Sequence, residues 1–222
     1  MSFHELGPHW GGDLVRIATW DGFWLGEGVT DYLTGRFVES HDGAAAGLAT
    51  WRSFLAAAFT SDRARARHPV RPPDPEVNVL SIFDAISYKK GAWVLRALEH
   101  RVGTAALTGF LRGWFGRHAG EAVTTATLER ELAAEFPRAD IPGYFRQWVY
   151  GAAFPVFEVT SRYDAAARSA TLTLRQTQTL VIRGVLRGHA PSASTDAYAA
   201  RMRAIRVQAT TTPQERADID RS

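Results

Sequence analysis

A chain of 222 residues with 45% hydrophobic and 11% aromatic residues can bury one good core and has the composition of an ordinary globular protein. The absence of cysteine excludes disulfides, thiolate metal sites and cysteine nucleophiles. The net charge of +3 is too small to indicate a nucleic acid partner, since the arginines are spread out among acidic residues.

Neither a membrane span nor a targeting segment is visible in the sequence. No stretch approaches the roughly 20 apolar residues of a membrane-spanning helix, and the first residues lack the charged-then-apolar pattern of a signal peptide. We therefore expect no membrane partner. The expected location is the cytoplasm, or else the sequence does not determine it.

Most of the chain has the apolar periodicity of helices. Apolar residues spaced by three and four predict a helix over residues 4–17. A second helix, predicted from residue 23 to about residue 40, places Glu27 in its first turns. Further helices are predicted over about 44–59, 79–85, 89–102, 104–117 and 125–136, with a last one opened by the N-cap residue Asp140.

The remaining segments predict loops and strands. Residues 61–75 contain four prolines and are predicted to form a loop. Residues 154–163 and 170–177 alternate as strands do, and beyond about Thr179 neither period lasts. We therefore divide the chain into three parts: a helical domain over 1–152, a β remnant over 153–180 and an irregular tail over 181–222.

The chemistry of the chain is concentrated in its first thirty residues. A His-Glu pair on a helix, followed about two dozen residues later by a glutamate, is how one class of zinc hydrolases assembles its metal site. His4, Glu5 and Glu27 fit that spacing. The second histidine is normally at i+4, where this chain has Pro8. His9, at i+5, lies about 140° from His4 on a regular helix, so it shares the metal only if the helix is distorted, as a proline can cause.

Three sequence blocks resemble the gluzincin (M1-type) zinc aminopeptidases, the family of aminopeptidase N and leukotriene hydrolase. The chain reads HELGPHWGGDLVR and then TWDGFWLGEGVTDYL, where the family reads roughly HELAHxWxGNLVT and WxDxWLNEGFAxYL. Residues 83–92 read FDAISYKKGA and resemble the family's FDxIxYxKGA. The resemblance covers roughly residues 3–160.

The resemblance implies a fold and a set of roles. The fold would be mainly α, the helical half of a thermolysin-like catalytic domain followed by a short β remnant. His4 and Glu27 would bind one zinc ion, Glu5 would be the general base, and Tyr88 would stabilise the transition state. Pro8 stands at the family's second zinc histidine, so His9 is the remaining candidate for a third ligand. The alternatives for these residues are an exposed helix start, a solvent-facing histidine and a packed tyrosine.

The function implied by the resemblance is metal-assisted hydrolysis by a truncated zinc metallopeptidase-like chain. The family's GxMEN loop, which holds the free amine of the substrate, is not in this sequence, so the expected substrate is a peptide or a small ester or amide. Helices that pack on an N-terminal sheet in the family would keep apolar faces, so we expect a homo-oligomer. The alternative is a catalytically silent, self-associating helical fragment with a degenerate metal site, in which zinc is weakly bound or absent.

Overall fold

A computed structural model describes residues 14–64, 68–177 and 205–210. The chain divides into two compact units, Met1–Ala153 and Phe154–Ser222. The described part of the first unit is mainly helical and that of the second is a β-sheet, which confirms the expected mainly α fold. No helix in these described ranges is both long and apolar enough to cross a membrane.

Seven α-helices form the described part of the first unit. They are α1 (Phe23–His41), α2 (Ala44–Ala64), α3 (Val79–Ile82), α4 (Gly91–Val102), α5 (Thr104–Arg117), α6 (Thr125–Glu135) and α7 (Ile141–Trp148). A single π-helical turn, Ile86–Lys90, leads directly into α4. The helices predicted after residue 20 are all present, with bounds that differ by a few residues.

Helix α1 lies at the centre of this unit, packed against α2, the π turn and α4. Its first turns bury Phe23, Trp24 and Leu25, and the Trp24 indole N–H donates to the Thr125 hydroxyl oxygen over 3.0 Å. Because most of the residues from Phe23 to Gly35 are buried, Thr30 and Asp31 among them, this part of α1 is a core helix rather than a surface helix. Polar groups on α1 are therefore held in fixed surroundings.

Two helix starts follow the capping rules. The Asp140 side chain accepts a hydrogen bond from Gly143 N over 3.1 Å, which confirms it as the N-cap of α7. Thr124 caps α6 in the same way by accepting from Thr127 N over 3.2 Å. These caps satisfy amide groups that have no partner inside the helix.

The predicted helix over residues 4–17 is wrong at its end. Arg16–Ile17 form a short strand, β1, which pairs in parallel with Ala122–Val123, β2. Arg16 N donates to Glu121 O and Ala18 N to Val123 O, both over 2.9 Å. This pairing with a distant segment overrides the local helical period. Residues 4–13 of the predicted helix lie outside the described residues.

The predicted loop over 61–75 also begins too early. Helix α2 continues to Ala64, and Asp62 in its last turn is buried. The four prolines start only at Pro69, so nothing in the sequence breaks the helix before that point.

The second unit contains an antiparallel sheet of three described strands. They are β3 (Phe157–Asp164), β4 (Ser169–Gln176) and β5 (Ile205–Thr210), in the order β3-β4-β5. Asp164 lies opposite Ser169 in the first pair, and Ser169 opposite Thr210 in the second. The third strand lies within the segment expected to be an irregular tail, over residues 181–222. Residues 205–210 read IRVQAT and alternate as a strand does, and their pairing to β4 is long-range.

Candidate active site

Two of the five expected site residues lie in the described structure. Glu27 is in the second turn of α1 and Tyr88 is in the π turn, and both side chains are partly exposed. The other three, His4, Glu5 and His9, lie outside the described residues. The geometry of the site is therefore built from Glu27, Tyr88 and their surroundings.

The backbones of α1 and α4 approach each other beside Glu27. A Cβ atom added to Gly28 would lie 3.0 Å from both Gly91 Cα and Ser87 O, and one added to Gly91 would lie 3.1 Å from Gly28 Cα. Both distances are shorter than ordinary van der Waals contacts. The approach requires glycine at both positions. It fixes Gly28, the residue after Glu27, against the segment that carries Tyr88.

The Tyr88 ring packs on the side of α1 that carries Glu27. Its centroid is 5.6 Å from the Phe23 ring and 5.4 Å from the Phe83 ring, both edge to face. Phe23 and Glu27 are four residues apart and so lie on the same helical face. The structure thus brings Tyr88 and Glu27 to one side of α1, where both are accessible to solvent.

The π turn has a defined cause in the residues before it. The amide groups of Lys89 and Lys90 both donate to Ala85 O, over 3.0 and 2.9 Å, and the Asp84 carboxylate accepts from Ile86 N over 2.8 Å. His68 Nε2 lies 3.2 Å from the Asp84 carboxylate. Burial raises the pKa of Asp84, but the hydrogen bond from His68 and other donors outweighs burial and holds the pKa below its usual value. Single π turns in helices are frequent at functional sites.

An ion pair ties α1 to the residue that follows Tyr88. Lys89 Nζ lies 2.8 Å from an Asp31 carboxylate oxygen, and Asp31 is one turn beyond Glu27 and 1% exposed. The ammonium group also lies 4.4 Å from the centroid of the Phe54 ring on α2, within range of a cation–π interaction. Sequence reasoning missed this pair, and the available signal was an aspartate between the apolar residues Val29 and Leu33.

Lys90, the next residue, is buried and bonds the π turn to the segment that follows α7. Its side chain is 2% exposed, and Nζ donates to Ala153 O over 2.9 Å. Burial lowers the pKa of Lys90 to about 8, although the Asp62 carboxylate favours the charged form. Tyr88 is thus followed by two lysines, and both tether the turn to neighbouring parts of the helical unit.

The depressed pKa of Lys90 predicts that stability rises with pH. The ordinary pKa of 10.5 applies in the unfolded chain, and about 8 in the folded chain. Between these values the unfolded state binds more protons, so the free energy of unfolding should increase by roughly 1.5 kcal/mol from about pH 8 to about pH 9.5. Urea unfolding followed by circular dichroism measures this rise.

The matched variant for this prediction is Lys90→Met, which keeps the length of the side chain and removes the charge. It should show no rise over the same range. Burial raises the pKa values of Tyr32, Tyr144 and Tyr150, so these groups reduce stability only above about pH 10, where unfolded tyrosine ionises. A wild-type profile that is flat, or that falls, between about pH 8 and 9.5 would contradict the assignment.

The described side chains do not form a metal site by themselves. Within residues 14–64 and 68–177, no three His, Asp or Glu side chains are grouped closely enough to hold a metal ion. Glu27 is the one expected ligand in these ranges. A zinc site that includes Glu27 would need further donors from outside the described residues, where the expected ligands His4 and His9 lie.

Comparison with known proteins places the chain in a family. Residues 1–148 match the peptidase family M1 domain. The chain belongs to peptidase family M1. This finding confirms the resemblance drawn from the three sequence blocks.

The M1 relatives are much longer than this chain. Aminopeptidase N of Caulobacter vibrioides is 32% identical over 171 residues, which are 76% of this chain and 19% of the relative. Aminopeptidase 2 of Candida albicans is 30% identical over 161 residues, 70% of this chain and 17% of the relative. Leukotriene A-4 hydrolase of Xenopus laevis is 29% identical over 181 residues, 78% of this chain and 29% of the relative. The chain spans less than a third of each.

Solved structures show the same fold. An M1 zinc metallopeptidase from Deinococcus radiodurans, a mutant bound to a Tyr-Ser-Ala substrate, is 30% identical with a TM-score of 0.59 and is matched over 69% of this chain and 33% of its own. Leukotriene A4 hydrolase from Saccharomyces cerevisiae has a TM-score of 0.64 at 24% identity, over 69% of this chain and 26% of its own. At that identity the second likeness concerns the fold alone.

Proposed function

We propose that this chain carries the metal-ligand and transition-state residues of a zinc metallopeptidase-like hydrolase, which cleaves an amide bond as aminopeptidases do, or a small ester. The observation that best supports the proposal is the position of Glu27 and Tyr88 on one side of α1 in a chain that belongs to family M1. In the proposed fold, the helical unit corresponds to the helical half of a thermolysin-like catalytic domain.

The proposed roles follow from the chemistry of each side chain. His4 and Glu27 would bind zinc with His9 as the third donor, and the bound ion would supply Lewis-acid polarisation of a carbonyl group and of water. The Glu5 carboxylate would accept the proton of the attacking water. The Tyr88 hydroxyl would donate a hydrogen bond to the carbonyl oxygen as negative charge develops there.

Tyr88 needs a fixed position for this role. Donors that stabilise a transition state act through preorganisation, so they must be held by rigid surroundings. The edge-to-face contact with Phe23, the Asp31–Lys89 ion pair and the close approach of Gly28 to Gly91 all fix the π turn against α1. These contacts support a defined spacing between Tyr88 and Glu27.

A peptide is the substrate that the comparisons favour. The 30% identical Deinococcus metallopeptidase is described as bound to a tripeptide substrate. A small ester or activated amide is the less demanding alternative, because its leaving group needs less assistance. Assays with amino acid anilides and with small aryl esters would separate the two substrate classes.

Pro8→His tests the metal site. The substitution restores the i, i+4 histidine pair with His4 and removes a proline from the predicted helix, where proline costs about 3 kcal/mol. We expect zinc binding to tighten by about tenfold or more, which corresponds to about 1.4 kcal/mol. Isothermal titration of zinc into both proteins measures the change. Equal, weak binding in both would remove the basis for a zinc site.

A catalytically silent, self-associating chain is the second candidate. It is favoured by large apolar side chains that remain exposed on the helical unit, namely Trp20 at 50%, Leu48 at 51%, Leu80 at 74% and Phe83 at 58%. Exposed apolar surface of this kind tends to find a partner. Under this alternative the same titrations would show no zinc uptake by either protein, and light scattering would show a homo-oligomer.

A further inference from the structure

A groove runs between α1 and α5, on a part of the helical unit that the proposed hydrolysis does not use. Both helices pack against α4, and the space left between them is about 460 Å³. Leu33 and Phe37 of α1 and Leu111 and Phe115 of α5 line it with apolar surface. The spacing of three or four residues on each helix places these side chains along facing stripes.

The groove lies on the opposite side of α1 from the candidate active site. Arg36, which lines the groove, is nine residues after Glu27, and at 100° per residue this places it roughly 180° around the helix. Glu27 and Phe23, in contrast, share the face that contacts Tyr88. A molecule in the groove would therefore be separated from the catalytic groups by the full width of α1.

One residue that lines the groove, Arg112, carries a positive charge that no described acidic side chain pairs with. None of the described residues that line it is acidic, and two of them, Arg36 and Arg112, carry guanidinium groups. Arg36 is paired with Glu39 over 2.7 Å and with the buried Glu99 over 3.6 Å, so its charge is compensated. The Arg112 side chain is exposed and makes no hydrogen bond or ion pair with another residue in the described ranges. A guanidinium group in this position fits a planar carboxylate, which it can bind through two parallel hydrogen bonds.

The volume indicates a small molecule rather than a docked helix. One turn of an α-helix with its side chains occupies roughly 400–600 Å³, so about 460 Å³ would hold a single turn. Small-molecule sites in proteins are typically apolar clefts of about 300–1,000 Å³ with a few polar groups that fix orientation. The groove between α1 and α5 matches that description in size, lining and charge.

We propose that this groove binds a small amphipathic carboxylate. The carboxylate group pairs with the guanidinium group of Arg112, and the apolar tail lies between the Phe37 and Phe115 side chains. This site is independent of the proposed zinc chemistry, since it uses none of the residues assigned to hydrolysis.

Isothermal titration of the full chain with sodium decanoate tests the proposal. We expect saturable binding with one site per chain. Octanoate has two fewer CH₂ groups and should bind about fifteenfold more weakly, since each buried CH₂ group changes affinity about fourfold. Decyltrimethylammonium has the same tail with a cationic head and should bind at least about tenfold more weakly than decanoate, because hydrogen bonds to charged groups are the strong ones.

Three variants locate the site. Arg112→Gln should weaken decanoate binding about tenfold or more, and Thr108→Trp, which adds a large side chain to the α5 wall of the groove, should abolish it. Arg52→Gln is the matched control, since Arg52 is an exposed arginine on α2 outside the groove, and it should bind as the wild type does. Circular dichroism verifies that each variant is folded. The proposal is overturned if decanoate does not bind, if both head groups bind equally, or if both groove variants bind normally.

Discussion

Glu5→Gln is expected to lower amide or ester hydrolysis by this chain by about 10²–10⁴-fold, the usual contribution of a general base, with unchanged zinc content. The glutamine side chain has nearly the same shape as glutamate, but its amide group cannot accept a proton from water. In the proposed site Glu5 addresses the water and does not bind the metal, so its replacement removes proton transfer and leaves the ligands in place. Steady-state kinetics and metal analysis of the purified variant measure the two quantities.

Two further glutamate substitutions make this result specific. Glu27→Gln removes a proposed ligand and should lower zinc content together with the rate, whereas Glu5→Gln should lower the rate alone. Glu76→Gln is the matched control, because Glu76 is exposed in a loop, and it should change neither quantity. Full activity of Glu5→Gln would show that any hydrolysis arises elsewhere on the chain.

The helices could be predicted because their signals are local. Helix α1, helix α5 and the capped start of α7 at Asp140 each carry an apolar period or a capping residue within the segment itself. The strand pairs behave differently. Arg16–Ile17 pair with Ala122–Val123, and Ile205–Thr210 pair with β4. The hydrophobic pattern within a strand of two or six residues does not identify the pairing partner, because that partner lies far along the chain.

The candidate site shows the same division. Glu27 and Tyr88 could be proposed because each lies in a sequence block that resembles family M1. The Asp31–Lys89 pair joins residues 58 apart in the sequence, and the burial of Lys90 depends on packing around the π turn. Aspartate and lysine are normally expected on the surface. Their burial here could therefore be recognised only in the folded structure.

Gly28→Val is expected to destabilise the helical unit by about 3 kcal/mol or more, near the upper end of the cost of overpacking. A first added carbon would already lie 3.0 Å from Gly91 Cα and Ser87 O, and valine adds two more carbons. The contacting atoms are backbone atoms of α4 and the π turn, so they cannot move aside as the end of a flexible side chain can. Relief requires α1 and α4 to separate, which also moves Glu27 away from Tyr88.

Gly109→Val is the matched control for this separation. A Cβ atom on Gly109 meets nothing within 4 Å, and glycine is a weaker helix former than valine by a few tenths of a kcal/mol, so this variant should be as stable as the wild type or slightly more so. Urea unfolding of the three proteins, followed by far-UV circular dichroism, measures the difference. If Gly28→Val unfolds at the same urea concentration as Gly109→Val, the close approach of α1 to α4 is not needed for the fold. The spacing of Glu27 and Tyr88 would then have to be held by the Asp31–Lys89 pair and the Phe23–Tyr88 contact alone.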